Sequence, residues 1–171
     1  MRIAVFPGGF DPITNGHLDL IRRTTHLFDR VVVAVVRARE KNTMFSWEER
    51  VELVKKAVAE YPTVEVDGFE AMTVEYARSR GAVAIVRGIR AVSDFEVEFD
   101  MALMNRKMAP ELESVYLMTS QDYLYVSASR IREGVVLRVA GLSVEEVANK
   151  IEDYLKDLVP LLGDDPWQRK W

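Results

Sequence analysis

Apolar positions along this chain fall into short β-branched runs separated by segments with helical spacing. Arg2 to Phe6, Val31 to Val36, Val64 to Val66, Val83 to Val86 and Val115 to Met118 read as five strands, each nearly continuously apolar. Between them, Val51, Val54 and Val58 recur at the spacing of one helix face, as do Val144, Val147, Ile151 and Leu155. Three Ser-x-x-Glu sequences, Ser46 to Glu49, Ser93 to Glu96 and Ser143 to Glu146, read as capping boxes that start helices.

Strands without polar alternation are buried on both faces, and strand-helix alternation winds such strands into a parallel sheet through right-handed crossovers. The expectation is an α/β fold: a single Rossmann-like domain over residues 1–171, with a five-stranded parallel sheet flanked by helices on both faces. In sheets of this kind a ligand sits beyond the carboxyl ends of the strands, where the winding reverses. If the first and fourth strands are neighbours there, the turn at Pro7 to His17 and the turn at Arg87 to Arg90 face one cleft. No internal repeat or interdomain linker is seen, and Gly163 to Trp171 reads as an irregular tail.

Composition narrows the chemistry. The 171 residues are 49% apolar, enough for one well-buried domain. Lys and Arg number 23 against 27 Asp and Glu, a net charge of -4, which offers no broad field for a nucleic-acid backbone. No cysteine is present, so disulfides, thiolate metal sites and thiol catalysis are excluded. The amino-terminal apolar run is far shorter than a signal core, and no run approaches the roughly 20 residues of a membrane span. The expectation is a cytoplasmic protein with no membrane and no nucleic-acid partner.

The turn after the first strand carries the strongest chemical signal. Pro7-Gly-Gly-Phe-Asp-Pro-Ile-Thr-Asn-Gly-His17 ends a strand and reopens as a helix. The first amides of a helix lack intrahelical partners and the helix dipole is positive there, so the site suits an anion. Thr14-Asn-Gly-His17 puts an imidazole in the first helical turn, where a cationic or hydrogen-bond-donating ring would stabilise phosphate oxygens. Arg87 and Arg90 bracket Gly88 and Ile89 at the end of the fourth strand, where guanidinium groups can fork onto phosphate. Each has a plainer reading: a capping turn with a surface histidine, an arginine pair bound to Asp94 or Glu96, and, for Glu98, an exposed helix carboxylate.

This turn resembles the (H/T)-x-G-H nucleotidyltransferase superfamily, and most closely the bacterial phosphopantetheine adenylyltransferases. Met44-Phe-Ser-Trp-Glu-Glu-Arg50, Arg87-Gly-Ile-Arg-Ala-Val-Ser-Asp-Phe-Glu-Val-Glu98, Met104-Asn-Arg106, Pro110-Glu-Leu-Glu-Ser114 and Tyr123 to Ser129 resemble the same family, in order, to about Glu133. The resemblance implies transfer of the adenylyl group of ATP to 4′-phosphopantetheine, giving dephospho-coenzyme A and pyrophosphate, with Mg²⁺ bound with ATP and no protein metal site. It implies His17, Lys41 and Arg90 as catalytic residues. It assigns Gly9, Phe10, His17, Gly88, Ile89, Arg90, Glu98, Tyr123, Leu124, Tyr125, Val126, Ser127, Ala128 and Ser129 to ATP. Gly9, Lys41, Thr73 and Arg87 fall to phosphopantetheine. It further implies a homohexamer and feedback binding of coenzyme A. An ionised phosphate as attacking group needs alignment and charge neutralisation rather than an activated Ser or Cys, which agrees with these residues.

Four departures stand out. Gly9 occupies a position where the family usually has Thr or Ser, and Ala128 removes a hydroxyl from a Ser/Thr-rich stretch. Arg37 and Arg39 occupy a loop that is commonly small, polar or Pro-containing in the family. The segment from about residue 134 to Trp171 diverges and ends in unusual Trp167 and Trp171. Two rivals follow: another nucleotidyltransferase, such as a nicotinamide-mononucleotide adenylyltransferase or a cytidylyltransferase, and a nucleotide-binding regulator without catalysis.

Overall fold

The computed structural model describes residues 1–37, 43–123 and 128–129. Five strands, β1 (Ile3–Gly8), β2 (Arg30–Val36), β3 (Val64–Phe69), β4 (Ala84–Ile89) and β5 (Glu113–Met118), form one parallel sheet in the order β3-β2-β1-β4-β5. Four helices connect them: α1 (Asn15–Thr25), α2 (Trp47–Ala57), α3 (Thr73–Ser79) and α4 (Val92–Met108). The Rossmann-like arrangement expected from the strand-helix alternation is therefore present, with the reversal between β1 and β4. By internal contacts the chain divides into two compact units, Met1–Val126 and Ser127–Trp171. In the second only Ala128 and Ser129, both helical, are described.

The pleat explains why the strands read as unbroken apolar runs. Ala4, Phe6, Val31, Val33 and Val35 point to one face and pack with Leu20, Ile21, Val54 and Val58 of the α1 and α2 segments. Val5, Val32, Ala34 and Ile85 point to the other, against Val74, Tyr76 and Ala77 of α3 and Leu112. Both faces are covered, so both parities must be apolar.

Of the three expected boxes, one starts its helix as expected, one does not, and one lies outside the described residues. Ser46 accepts from the Glu49 N–H at 3.2 Å while the Glu49 carboxylate accepts from the Ser46 N–H at 2.8 Å. Ser93 stands inside α4 rather than at its start. α4 begins at Val92, and Asp94 accepts the Arg90 and Ala91 N–H groups at 3.0 and 3.2 Å, because it stands at the third helical position, from which a carboxylate reaches back. The Ser143 to Glu146 box lies outside the described residues, as does the Val144 to Leu155 helix. Among the described residues no helix is long and apolar enough to cross a membrane.

The reversal also opens the sheet. β1 pairs with β2 along Ile3 to Gly8, and β4 with β5 along Ala84 to Ile89, yet β1 and β4 pair only at Ala4–Ala84 and Val5–Ile85. Beyond those pairs the central strands part toward their carboxyl ends. Leu20 of α1 fills part of the split: a methyl group on Gly88 would lie 2.3 Å from the Leu20 Cδ1. The gap between strand exits is where the candidate site lies.

Candidate active site

At the β1 exit, Gly8 lacks a side chain because a Cβ there would meet the Phe10 ring at 2.8 Å. Phe10 turns the chain through the left-handed region at φ 46° and buries its ring, edge-on to His17 at 5.2 Å between centroids. A Cβ on Gly9, by contrast, would meet nothing within 4 Å among the described residues. The space that a Thr or Ser side chain would take is thus open.

Thr14 caps α1, and His17 completes a reciprocal capping box in the role usually taken by Glu. Its Nδ1 accepts the Thr14 N–H at 3.0 Å and lies 3.0 Å from Thr14 Oγ1. An Nδ1 that accepts leaves the proton of the neutral ring on Nε2, so the cap selects the tautomer that donates from its far edge. Burial, then the charges of Arg90 and Arg87, lower the His17 pKa from 6.5 to about 4. Of the two forms expected from sequence, cation or neutral donor, the structure selects the neutral donor at pH 7.

Arg87 and Arg90 lie near enough for their charges to act on the imidazole. Arg87 spans the split: Nη1 donates to the Pro7 carbonyl of β1 at 3.0 Å, while Nε and Nη2 donate to the Glu98 carboxylate at 3.1 and 2.5 Å. Glu98 is buried at 8% exposure, and its carbonyl accepts from the Tyr116 hydroxyl at 2.8 Å. The exposed-carboxylate reading of Glu98 is therefore replaced by a buried ion pair. Arg90 lies 3.5 Å from Asp94 and is half-exposed, so the arginine-pair reading holds for Arg90 but not for Arg87, whose partner is Glu98.

Tyr123 closes the other side of α1. A Cβ on Gly16 would lie 3.4 Å from the Tyr123 Cβ, so the absence of a side chain at Gly16 lets the turn after β5 rest on the helix start. Asp19 strengthens that junction, accepting from Ser120 Oγ at 2.6 Å and from Arg22 and Arg23 at 3.1 and 3.2 Å; Arg23 also donates to the Met118 carbonyl at 2.7 Å. Thr73 opens α3 and is half-buried. Lys41, Arg39, Leu124, Tyr125, Val126 and Ser127 lie outside the described residues. Arg37 sits over the Trp47 ring at 5.1 Å and pairs with Glu70 at 3.3 Å.

Asp11 and Arg50 escaped the sequence reading as site residues. Asp11 accepts the Met44 and Phe45 N–H groups, each at 2.9 Å. Arg50 donates from Nη1 to the Gly9 carbonyl at 2.6 Å and the Val36 carbonyl at 3.2 Å. The signal was present: Arg50 lies four residues before Val54 and eight before Val58, on the buried stripe of α2. Among the described residues no group of three or more His, Cys, Asp or Glu could hold a metal ion.

A cytidylyltransferase-like family model matches residues 5–134. The chain is 50% identical over 155 residues to the phosphopantetheine adenylyltransferase of Desulforamulus reducens, covering 90% of this chain and 96% of that one. It is 48% identical to that of Desulforudis audaxviator, over 96% of this chain and 99% of the relative. With that of Moorella thermoacetica the identity is 56%, over 80% and 86%. Among solved structures, a bifunctional NMN adenylyltransferase/ADP ribose pyrophosphatase from Francisella tularensis superposes with a TM-score of 0.62 at 17% identity, covering 81% of this chain. This chain spans 43% of that protein, and the likeness is one of fold.

Proposed function

The chain belongs to the phosphopantetheine adenylyltransferase family, and on that footing we propose that it transfers AMP from ATP to 4′-phosphopantetheine, giving dephospho-coenzyme A and pyrophosphate. The observation that carries the reading is the convergence of a tautomer-fixed imidazole and two guanidinium groups at the split between β1 and β4. A phosphate oxygen of phosphopantetheine attacks the α-phosphorus of ATP in line. The new P–O bond forms as the bond to the bridging oxygen breaks, and pyrophosphate leaves with that electron pair. No proton must be taken from the nucleophile, so a histidine with its pKa near 4 is suited to the work: it donates a hydrogen bond from Nε2 throughout and transfers nothing.

In this reading His17, Lys41 and Arg90 act on the reacting phosphates. Arg87 and Thr73 serve phosphopantetheine. Gly9 offers backbone to both substrates. The 88–90 segment, Glu98, Phe10 and residues 123–129 serve ATP. Donors and cations dominate the described site, a set that suits phosphate oxygens and does not suit a metal; Mg²⁺ is accordingly read as arriving on the triphosphate, where it neutralises charge, with no protein residue assigned to it.

We read residues 1–171 as one nucleotidyltransferase domain with a divergent segment from about 134, cytoplasmic, and feedback-inhibited by coenzyme A. We read it as a homohexamer; α4, which exposes Phe95, Val97, Phe99, Met101, Leu103 and Met104, supports self-association without fixing the number of copies. Incubation with ATP, Mg²⁺ and 4′-phosphopantetheine should yield equal amounts of pyrophosphate and dephospho-coenzyme A. Folded protein that forms neither, or that adenylylates nicotinamide mononucleotide instead, overturns the reading.

A further inference from the structure

The carboxyl ends of β1 and β2 are joined beyond the last rung of their ladder by a side chain rather than by backbone. Pairing ends at Gly8–Val35. One residue further along each strand, the Gly9 and Val36 carbonyls both accept from Nη1 of Arg50, at 2.6 and 3.2 Å. Arg50 is only 3% exposed, and burial lowers its pKa against the opposing charges of Asp11 and Glu48. Asp11, two residues after Gly9, holds the Met44 and Phe45 amides. The turn of 9–14 is thus tied at Gly9 to the end of β2 and at Asp11 to the chain entering α2, before it reaches His17.

Stability alone does not account for an arginine here. Its Nε is buried without a hydrogen-bond partner among the described residues, and an unmet buried donor is unfavourable. A guanidinium does supply what an apolar side chain of similar length lacks, a planar donor that meets two carbonyls in fixed directions. The Gly9 carbonyl it holds belongs to the turn whose backbone lines the open space beside the site.

We propose that Arg50 is a positioning residue for adenylyl transfer, holding the Gly9 turn in register with the end of β2 so that the groups from Gly9 to His17 meet the reacting phosphates in line. The inference rests on the proposed activity, with Arg50 acting through backbone carbonyls and touching neither substrate. Loosening such a turn misaligns the transfer while leaving binding contacts in place, and a displacement of about 1 Å is enough to lower a rate by about 100-fold.

The test is steady-state kinetics on the full chain, with Arg50→Met and Arg50→Lys compared at a temperature where circular dichroism finds each folded. Arg50→Met should lower kcat by about 100-fold with both KM values within about threefold of the parent. Arg50→Lys, whose ammonium is a point donor, should lose about tenfold. In Arg50→Ala, added methylguanidinium should restore part of kcat, and methylammonium should not. If Arg50→Met does not fold, Arg50→Lys and the rescue carry the test. A folded variant with kcat within twofold of an active parent overturns the inference alone; an inactive parent overturns the proposed activity and this inference with it.

Discussion

The two strand exits that face each other across the split hold their donors in opposite ways. At the β1 exit the donor is a neutral imidazole, oriented by its own helix cap, with Thr14 three residues away. At the β4 exit it is a permanent cation, Arg87, oriented by Glu98 eleven residues away and by a carbonyl on the neighbouring strand. The first is a local device in which backbone geometry sets a tautomer. The second is a tertiary device in which a buried carboxylate offsets a charge that would otherwise repel its neighbours. Burial and then two arginines already depress the His17 pKa, so a third positive charge between them would be costly. The pairing of one charged exit with one neutral exit is what lets both sit at one cleft.

The sharpest way to break that comparison is to remove the neutral donor. His17→Ala should lower kcat by about 10² to 10³-fold, the loss seen when one preorganised transition-state donor is deleted, with smaller changes in KM. Pyrophosphate release measures it; a loss under tenfold would leave the β1 exit without a catalytic role.

Acid probes the same group through stability. The folded pKa of about 4 lies below the ordinary 6.5, so between these values the unfolded chain binds more protons. Stability should be flat above pH 7 and fall as pH drops from 6.5 toward 4, by about 2 kcal/mol at pH 5. Urea unfolding of the parent and of His17→Asn should differ in slope across that window. Parallel slopes would place the ring in water.

Glu98→Ala tests the charged exit. It strands the Arg87 charge, but the Arg87 side chain is 39% exposed, so water offsets much of the loss and the expected destabilisation is about 1 to 2 kcal/mol. Denaturant midpoints measure this, and Glu98→Gln, which keeps an acceptor, should lose less. Equal losses in the two would argue that shape rather than charge holds Arg87.

The smallest effect is expected at the cap. Thr14→Ala should destabilise by about 1 kcal/mol, and turnover should fall only slightly, since the Thr14 N–H that selects the tautomer remains. A loss of turnover as large as that of His17→Ala would transfer the orienting role from the backbone to the hydroxyl.

Much of the fold was legible because it is written at short range. Apolar strands of three to six residues between helical stripes demand a doubly covered parallel sheet, and the strand after which the glycine turn falls is readable from the first seventeen positions. The boundaries were less so. β4 runs on to Ile89, so Arg87 stands within the strand and can reach the Pro7 carbonyl of its neighbour. α4 starts by an Asp94 cap rather than at Ser93, since a single turn offers several acceptors and local geometry chooses among them.

The sequence by itself determined the order of elements along the chain and a histidine in the first turn of a helix after a glycine-rich bend. Each depends on residues within a few positions of one another, where sterics and periodicity act. Only the tertiary structure decided that His17 is neutral, that Glu98 is buried against Arg87, and that Arg50 joins two strand ends. Those outcomes turn on desolvation and on hydrogen bonds between groups as much as eighty residues apart, and no local pattern encodes which distant partner arrives.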